Sequence, residues 1–186
     1  MKYILKKIYS ALPFKKQVFL LLRLFSLPEG VFKHLHFEAL ISVSIEEKAF
    51  KIYHYGYQLE NELFWKGIDG GWEKVSMHIW IAMSIRSKFI MDIGANTGVF
   101  SLVSKTVNPG SKVFAFEPVK RVFEKLQRNV EVNQFDVISV CTGISDFKGY
   151  ATIYDLQTEH VYSVTINEKR NRPDRTDILT QVEVST

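Results

Sequence analysis

The 186-residue sequence predicts an α/β protein built on a Rossmann-like sheet, preceded along the chain by a helix and a β-hairpin. Three observations carry that reading. The apolar run Phe89-Ile90-Met91-Asp92-Ile93 breaks at Gly94 and Gly98, and apolar residues resume at Val99, Leu102 and Val103: a buried strand, a tight turn and a helix start. A second β-rich run, Lys112 to Phe116, stops at Glu117-Pro118. A third, Val137 to Thr142, stops at Gly143. Between the last two, Val122, Leu126 and Val130 form one helical row, with Phe123 beside it and charges elsewhere, as suits a helix covering one sheet face.

In chain order, residues 1–30 form a basic amphipathic segment. Ile4, Ile8 and Leu12 fall at helical spacing with lysines between them, followed by Pro13 and the apolar run Val18 to Phe25. The segment is too short and too interrupted by charge to span a bilayer, and it lacks the small-residue cleavage site of a signal peptide. Two readings stay open: a helix on an anionic membrane surface through residues 1–28, or a helix packed on its own domain or on a second subunit of a homo-oligomer. The second is favoured, because an apolar stripe at helical period is usually core.

The formal charge of +4 belongs to this segment. Six basic residues and no acid precede Glu29, leaving 18 basic against 20 acidic residues in the remainder. No basic run interleaved with aromatics follows, which argues against a nucleic-acid partner. Cys141 is the one cysteine, so no intramolecular disulfide forms and a reducing, cytoplasmic setting is expected, membrane-peripheral if residues 1–28 touch lipid. Its place in an apolar run points to a structural thiol.

Residues 31–88 form an accessory region. Alternation at Phe37, Ala39, Ile41, Val43 and Ile45, then at Phe50, Ile52, Tyr53 and Tyr55 across Glu46-Glu47-Lys48, predicts a hairpin. An aromatic and glycine-rich stretch, Phe64 to Glu73, leads to an apolar helix over about 75–87. Trp65, Trp72 and Glu73 are candidates to cover a ligand, with surface packing the more ordinary role for each. Histidines 34, 36, 54, 78 and 160 show no metal-ligand spacing, so no metal site is predicted.

Residues 89–186 form the ligand-binding domain, whose centre is the loop Asp92-Ile93-Gly94-Ala95-Asn96-Thr97-Gly98. Glycines at 94 and 98 let backbone approach a ligand, and a helix start at Gly98 offers unpaired N–H groups and a positive dipole end. A dinucleotide fingerprint needs glycine two places after the first, where this chain has Asn96, so an NAD-dependent oxidoreductase is disfavoured. Asp92 suits a ligand that carries an ammonium group. S-adenosylmethionine carries both an ammonium and a carboxylate. Glu117 lies 23 residues after Gly94, close to the offset at which an acid accepts from ribose hydroxyls.

The motifs at 92–98, Ala115-Phe116-Glu117-Pro118, and Gly143-Ile144-Ser145-Asp146 with Gly149 resemble, in order, those of the FkbM family of S-adenosylmethionine-dependent methyltransferases. The resemblance runs from about 89 to 154. It implies a class I methyltransferase sheet and a cofactor site made by Asp92, Gly94, Ala95, Asn96, Thr97, Gly98, Glu117 and Pro118. Ser145 and Asp146 are assigned to the adenine edge, with an Asx turn of nearly equal weight for Asp146. It also implies O-methylation of a sugar or natural-product hydroxyl, with the protein aligning the reactants. The catalytic base is not identified.

Downstream, Tyr150–Leu156 and Val161–Ile166 read as antiparallel strands, 167–177 as a polar linker, and Ile178 to Thr186 as strand-like. The Asp-x-Glu-Gly motif that such enzymes carry near the methyl group does not occur in the sequence. A truncated domain is therefore expected, with β-strand 89–93 lacking one neighbour unless 178–185 fills the place. The alternative function is a non-catalytic cofactor-binding fragment or interaction module.

Overall fold

The computed structural model describes residues 14–25, 27–71, 73–155, 164–165 and 178–186. Helix α1 covers Lys15–Leu22 and runs into a 3-10 turn, Arg23–Phe25; a short α2 follows at Glu29–Phe32. Strands β1 (Glu38–Ile45) and β2 (Lys48–Tyr55) pair antiparallel about Glu46-Glu47, as the alternation predicts, with Ile41 opposite Ile52 and Val43 opposite Phe50. Then come α3 (Gln58–Lys66) and α4 (Lys74–Arg86). The parallel unit follows: β3 (Phe89–Ile93), α5 (Val99–Val107), β4 (Lys112–Phe116), α6 (Lys120–Asn133) and β5 (Val137–Val140), with strands ordered β3-β4-β5.

These parts stack in three layers. Helices α5 and α6 lie on the sheet face that carries Ile90, Asp92, Val113 and Ala115, and the hairpin packs on the far side of the same helices. One buried cluster accordingly runs from Phe37, Val43 and Ile52 of the hairpin through Leu102, Val103 and Leu126 to Ala115 of the sheet. Helix α5 is covered from both sides, and every residue from Ser101 to Thr106 is buried. Its polar side chains are all bonded, as burial requires. Thr106 Oγ1 donates to Leu102 O at 2.7 Å, and Lys105 Nζ donates to Pro109 O at 2.6 Å and Ser111 O at 2.9 Å. Ser104 Oγ accepts from Trp80 Nε1 of α4 at 2.8 Å, which fixes α4 beside α5.

The opposite sheet face is different. Phe89, Met91, Ile93 and Ile138 are exposed there, and among the described residues no strand pairs with the second edge of β3.

Strand β9 (Ile178–Ser185) is strand-like, as read from the sequence, but it does not supply that missing neighbour. It lies in a separate four-stranded sheet with β6 (Gly143–Ile144), β7 (Gly149–Asp155) and β8 (Val164–Thr165), ordered β6-β9-β7-β8. The apolar side chains Val182 and Val184 meet Ile153, Val119 and Val122, so this sheet rests on the start of α6. The strand pair expected after Gly149 exists as β7 and β8, while Leu156, Val161 and the polar linker 167–177 lie outside the described residues, as does the amphipathic stretch from Ile4 to Leu12.

Helix α1 buries Phe19 against Phe37 and Trp65, as a segment packing on its own domain should. Its other face is also apolar, and Phe14, Leu21, Leu24 and Phe25 are exposed. Among the described residues no helix is long and apolar enough to cross a membrane.

Candidate functional site

The loop between β3 and α5 turns at three left-handed residues in five: Gly94 at φ 76°, Asn96 at φ 53° and Gly98 at φ 90°. Glycine avoids the Cβ strain of that region, and asparagine tolerates it better than most residues. A Cβ built on Gly94 meets nothing within 4 Å, so its outer side is open space, whereas one on Gly98 meets Leu126 Cγ at 3.3 Å. The two glycines thus serve different ends: Gly94 leaves room at the surface of the crevice, and Gly98 lets α6 pack close.

The amides of the loop are largely occupied. Gly94 and Ala95 N–H both donate to Phe116 O at 2.9 Å, Asn96 N–H donates to Glu117 Oε2 at 2.9 Å, and Gly98 N–H donates to Ala95 O at 2.8 Å. The unpaired donors expected at Gly98 are therefore absent from Gly98 itself. Ala95 is buried, and Thr97 is wholly buried with its N–H turned onto Asn96 Oδ1. Of the glycine-loop residues assigned to a cofactor, Gly94, Ala95 and Asn96 line a cavity of about 260 Å³, walled on the other side by Leu63, Glu73 and Met77.

Glu117 is buried and braces two turns. Its Oε2 accepts from Asn96 and its Oε1 from Val119 N–H at 2.9 Å, so it fastens the β3–α5 loop to the β4–α6 turn. Each carboxylate oxygen keeps a further lone pair. Burial pushes its pKa up, opposed by the Val119 and Asn96 N–H bonds and by Arg121, while Asp92 pushes it further up. Asp92 is buried on the helix side of β3, where its Oδ2 accepts from Ser101 Oγ at 2.6 Å; burial raises its pKa and the Ser101 bonds oppose the rise.

Pro118 lies beside Gly143, whose built Cβ comes within 3.6 Å of Pro118 Cβ. Ser145 and Asp146 follow β6: the Ser145 N–H donates to Ser185 O at 2.9 Å and its Oγ bonds Asp146 Oδ1 at 3.2 Å. Ser145 is thus tied to β9 through its N–H, and neither residue is among those that line the cavity. Cys141 is half-buried and its thiol pKa is raised, chiefly by burial, in keeping with a structural role. Trp65 packs in the core against Phe19, Phe32 and Phe64 rather than over the loop, Glu73 does line the cavity, and Trp72 lies outside the described residues.

Sequence reasoning passed over the residues behind the loop. Thr97 Oγ1 donates to Glu60 Oε1 of α3 at 3.3 Å, and Thr97 O accepts from Asn129 Nδ2 of α6 at 2.9 Å; Glu60 and Asn129 are wholly buried. An asparagine pair at i and i+4 in the last turns of α6, Asn129 and Asn133, was the available signal, since asparagine is a poor helix former. His54 sits nearby in the core. Gly56 N–H donates to its Nδ1 at 3.0 Å, which places the ring proton on Nε2, facing Asn61 Oδ1 at 3.4 Å. Burial lowers its pKa to about 4 against the raising effect of Asn61, so it is neutral at pH 7. Among the described residues no group of three or more His, Cys, Asp or Glu is arranged to hold a metal.

No family model matches the chain. Over 45 residues, 24% of its length, it is 47% identical to Methyltransferase sdnD of Sordaria araneosa, and that stretch is 17% of the fungal protein. It is 44% identical over 45 residues to Methyltransferase 1 of Beauveria bassiana (strain ARSEF 2860), again 24% of this chain and 18% of the other. The match therefore spans less than a fifth of these relatives. Among solved structures, a SAM dependent methyltransferase from Agrobacterium tumefaciens superposes with a TM-score of 0.38 at 15% identity, over 56% of this chain and 32% of that one. A protein-L-isoaspartate O-methyltransferase gives 0.34 at 17% identity, over 76% and 40%. Superpositions this loose add nothing to the reading of the site. What stands is a likeness to methyltransferases over the 45-residue stretch.

Proposed function

We propose that this chain is the cofactor-binding part of an S-adenosylmethionine-dependent methyltransferase of the FkbM type, acting on a sugar or natural-product hydroxyl. The observation that carries the reading is the pairing of an open-sided left-handed Gly94 with a loop amide held by the Glu117 carboxylate. The likeness to two methyltransferases supports it. The residues fit such a cofactor: the cavity beside Gly94 is apolar within and carries Glu62, Glu73 and Lys74 in its lining, so both signs of charge are at hand for an amino-acid end. When bound, S-adenosylmethionine supplies a sulfonium methyl group, which an acceptor oxygen takes as the carbon–sulfur bond breaks and the electron pair stays on sulfur. Gly94 leaves the space, Glu117 accepts from ribose, and Asn96 at φ 53° sets the turn between them.

Calorimetric titration of the purified chain with S-adenosylhomocysteine and with NAD tests this. Binding of the first and not the second is expected; the reverse overturns the reading. The second reading, a module that binds cofactor without turning it over, is favoured by the sheet face and the edge of β3 that no other described residues cover or pair. Turnover with a panel of sugar acceptors separates the two. The N-terminal segment fits a peripheral role at an anionic bilayer, since Phe14, Leu21, Leu24 and Phe25 are exposed in a stretch with no acid before Glu29. Sedimentation with phosphatidylserine vesicles, lost on Leu21→Ser with Leu24→Ser, is the expected result; a shift in oligomeric state without lipid binding would assign the face to a second copy instead.

A further inference from the structure

The polar contacts behind the glycine loop form a continuous path to the hairpin. Helix α6 presents Asn129 and Asn133 to the outer edge of β2. Asn133 Oδ1 accepts from Lys51 N–H and its Nδ2 donates to Lys51 O, both at 2.6 Å, so the amide side chain pairs with the strand as a further strand would. Asn129 Oδ1 accepts from Tyr53 N–H at 2.9 Å, but its Nδ2 turns away from the hairpin and donates to Thr97 O. Thr97 lies in the turn between Asn96 and Gly98, held on its other side by the hydroxyl bond to Glu60 of α3. Cations reinforce the docking: Arg128 Cζ lies 4.0 Å from the Tyr53 ring centre, and Lys125 Nζ lies 4.4 Å from that of Tyr57.

We propose that Asn129 is a positioning residue that couples the accessory hairpin to the glycine loop, so that the docked hairpin sets the loop conformation in which a ligand is received. The ligand part of this rests on the cofactor reading above; the coupling itself does not. Two features separate it from ordinary packing. The two asparagines make similar bonds to the same strand, yet only Asn129 also reaches the loop. Thr97 faces the interior, so it binds the scaffold and leaves the crevice to Gly94, Ala95 and Asn96. A linkage of this kind is reciprocal, so ligand at the loop must also steady the hairpin.

The difference between the asparagines gives the test. Hydrogen exchange on the ligand-free chain is read at residues 94–98 for wild type, Asn129→Leu and Asn133→Leu. Asn129→Leu is expected to speed exchange there at least tenfold, while Asn133→Leu loosens the hairpin near residue 51 and leaves 94–98 within threefold. Equal loosening of the loop in both variants, or in neither, overturns the proposal. Titration with S-adenosylhomocysteine adds a second readout: Asn129→Leu and Thr97→Val should weaken binding at least tenfold, with Thr97→Ser restoring it to within threefold of wild type. Thr97→Ser as weak as Thr97→Val overturns the role given to the hydroxyl. If Asn129→Leu does not fold, Asn129→Asp is read at 94–98 in its place; it keeps the acceptor for Tyr53 N–H and loses the donor to Thr97 O, and exchange there unchanged from wild type overturns the coupling. Failure of the wild-type chain to bind sinks the cofactor reading alone, because the exchange comparison still decides the coupling.

Discussion

The two faces of the parallel sheet are made from the same three strands and end in opposite conditions. On the inner face, Ala115, Leu102 and Leu126 are completely buried beneath a second layer of hairpin. On the outer face, Phe89, Met91 and Ile93 are 59–67% exposed. Parallel sheets in soluble proteins are normally covered on both sides, which is why their strands read as continuous apolar runs. The run Phe89-Ile90-Met91 therefore encodes burial on two faces, and the described residues provide it on one. The bonds that hold the loop from behind lie on the covered side, with Asp92, Ser101, Asn129 and Glu60.

That contrast can be broken by measurement. Leu126→Ala, emptying a wholly buried position, should cost about 2–5 kcal/mol in urea unfolding, whereas Met91→Ala should stay within about 0.5 kcal/mol. Equal losses would mean that the outer face is covered in solution, by another copy or a further segment.

Next in size is the effect of pH through His54. Its folded pKa of about 4 lies below its ordinary 6.5, so its contribution is complete above 6.5 and is lost as pH falls through that window. At 1.36 kcal/mol per unit the loss approaches about 3 kcal/mol. His54→Phe should flatten the stability profile between pH 7 and 4, and an unchanged slope would remove His54 from the account. Asp92 and Glu117 work in the opposite sense. Their raised pKa values give a contribution complete below the ordinary carboxylate range and lost as pH rises through the folded values, so Asp92→Asn should steepen the loss on acidification.

Smaller again is Glu117→Ala, which strands the N–H groups of Asn96 and Val119 and should cost about 1–3 kcal/mol of stability. A change in cofactor affinity with no loss of stability would show that Glu117 acts on ligand and not as a brace. Smallest is Ser145→Ala, half-buried in the second sheet, expected within about 0.5 kcal/mol by the same unfolding assay. A larger loss would give the Ser145 hydroxyl a structural weight that its 3.2 Å bond to Asp146 does not suggest.

Much of the inner architecture was legible in the residues. Strands 89–93 and 112–116 and the helix beginning after Gly98 announce themselves through apolar runs cut by glycine or proline. Helix α3 was not, and for a definite reason: its buried side carries Glu60 and Asn61 beside Leu63 and Phe64, so the polar residues that ordinarily mark a solvent face point inward. A period search reads such a helix as irregular. Without α3 the partner of Thr97 was invisible, and Thr97 stood out only through its place inside the motif. Strand β9 was recognised as a strand but not placed, since pairing with β6 and β7 is decided by long-range contacts that a local pattern does not record.

The spacing of Asn129 and Asn133 has a dimensional consequence. Four residues of helix advance about 6 Å. Two residues of strand advance about 6.6 Å. A helix and a strand can therefore be graduated alike, and the pair 129/133 reads the pair 53/51 as one scale laid along another. A residue inserted between the two asparagines would turn one of them by about 100° off the strand, and a hairpin slipped by one residue would turn the amides that face α6 toward β1 instead. This interval cannot change without breaking one of the two contacts, so a change in counting between the asparagines would be felt at the glycines.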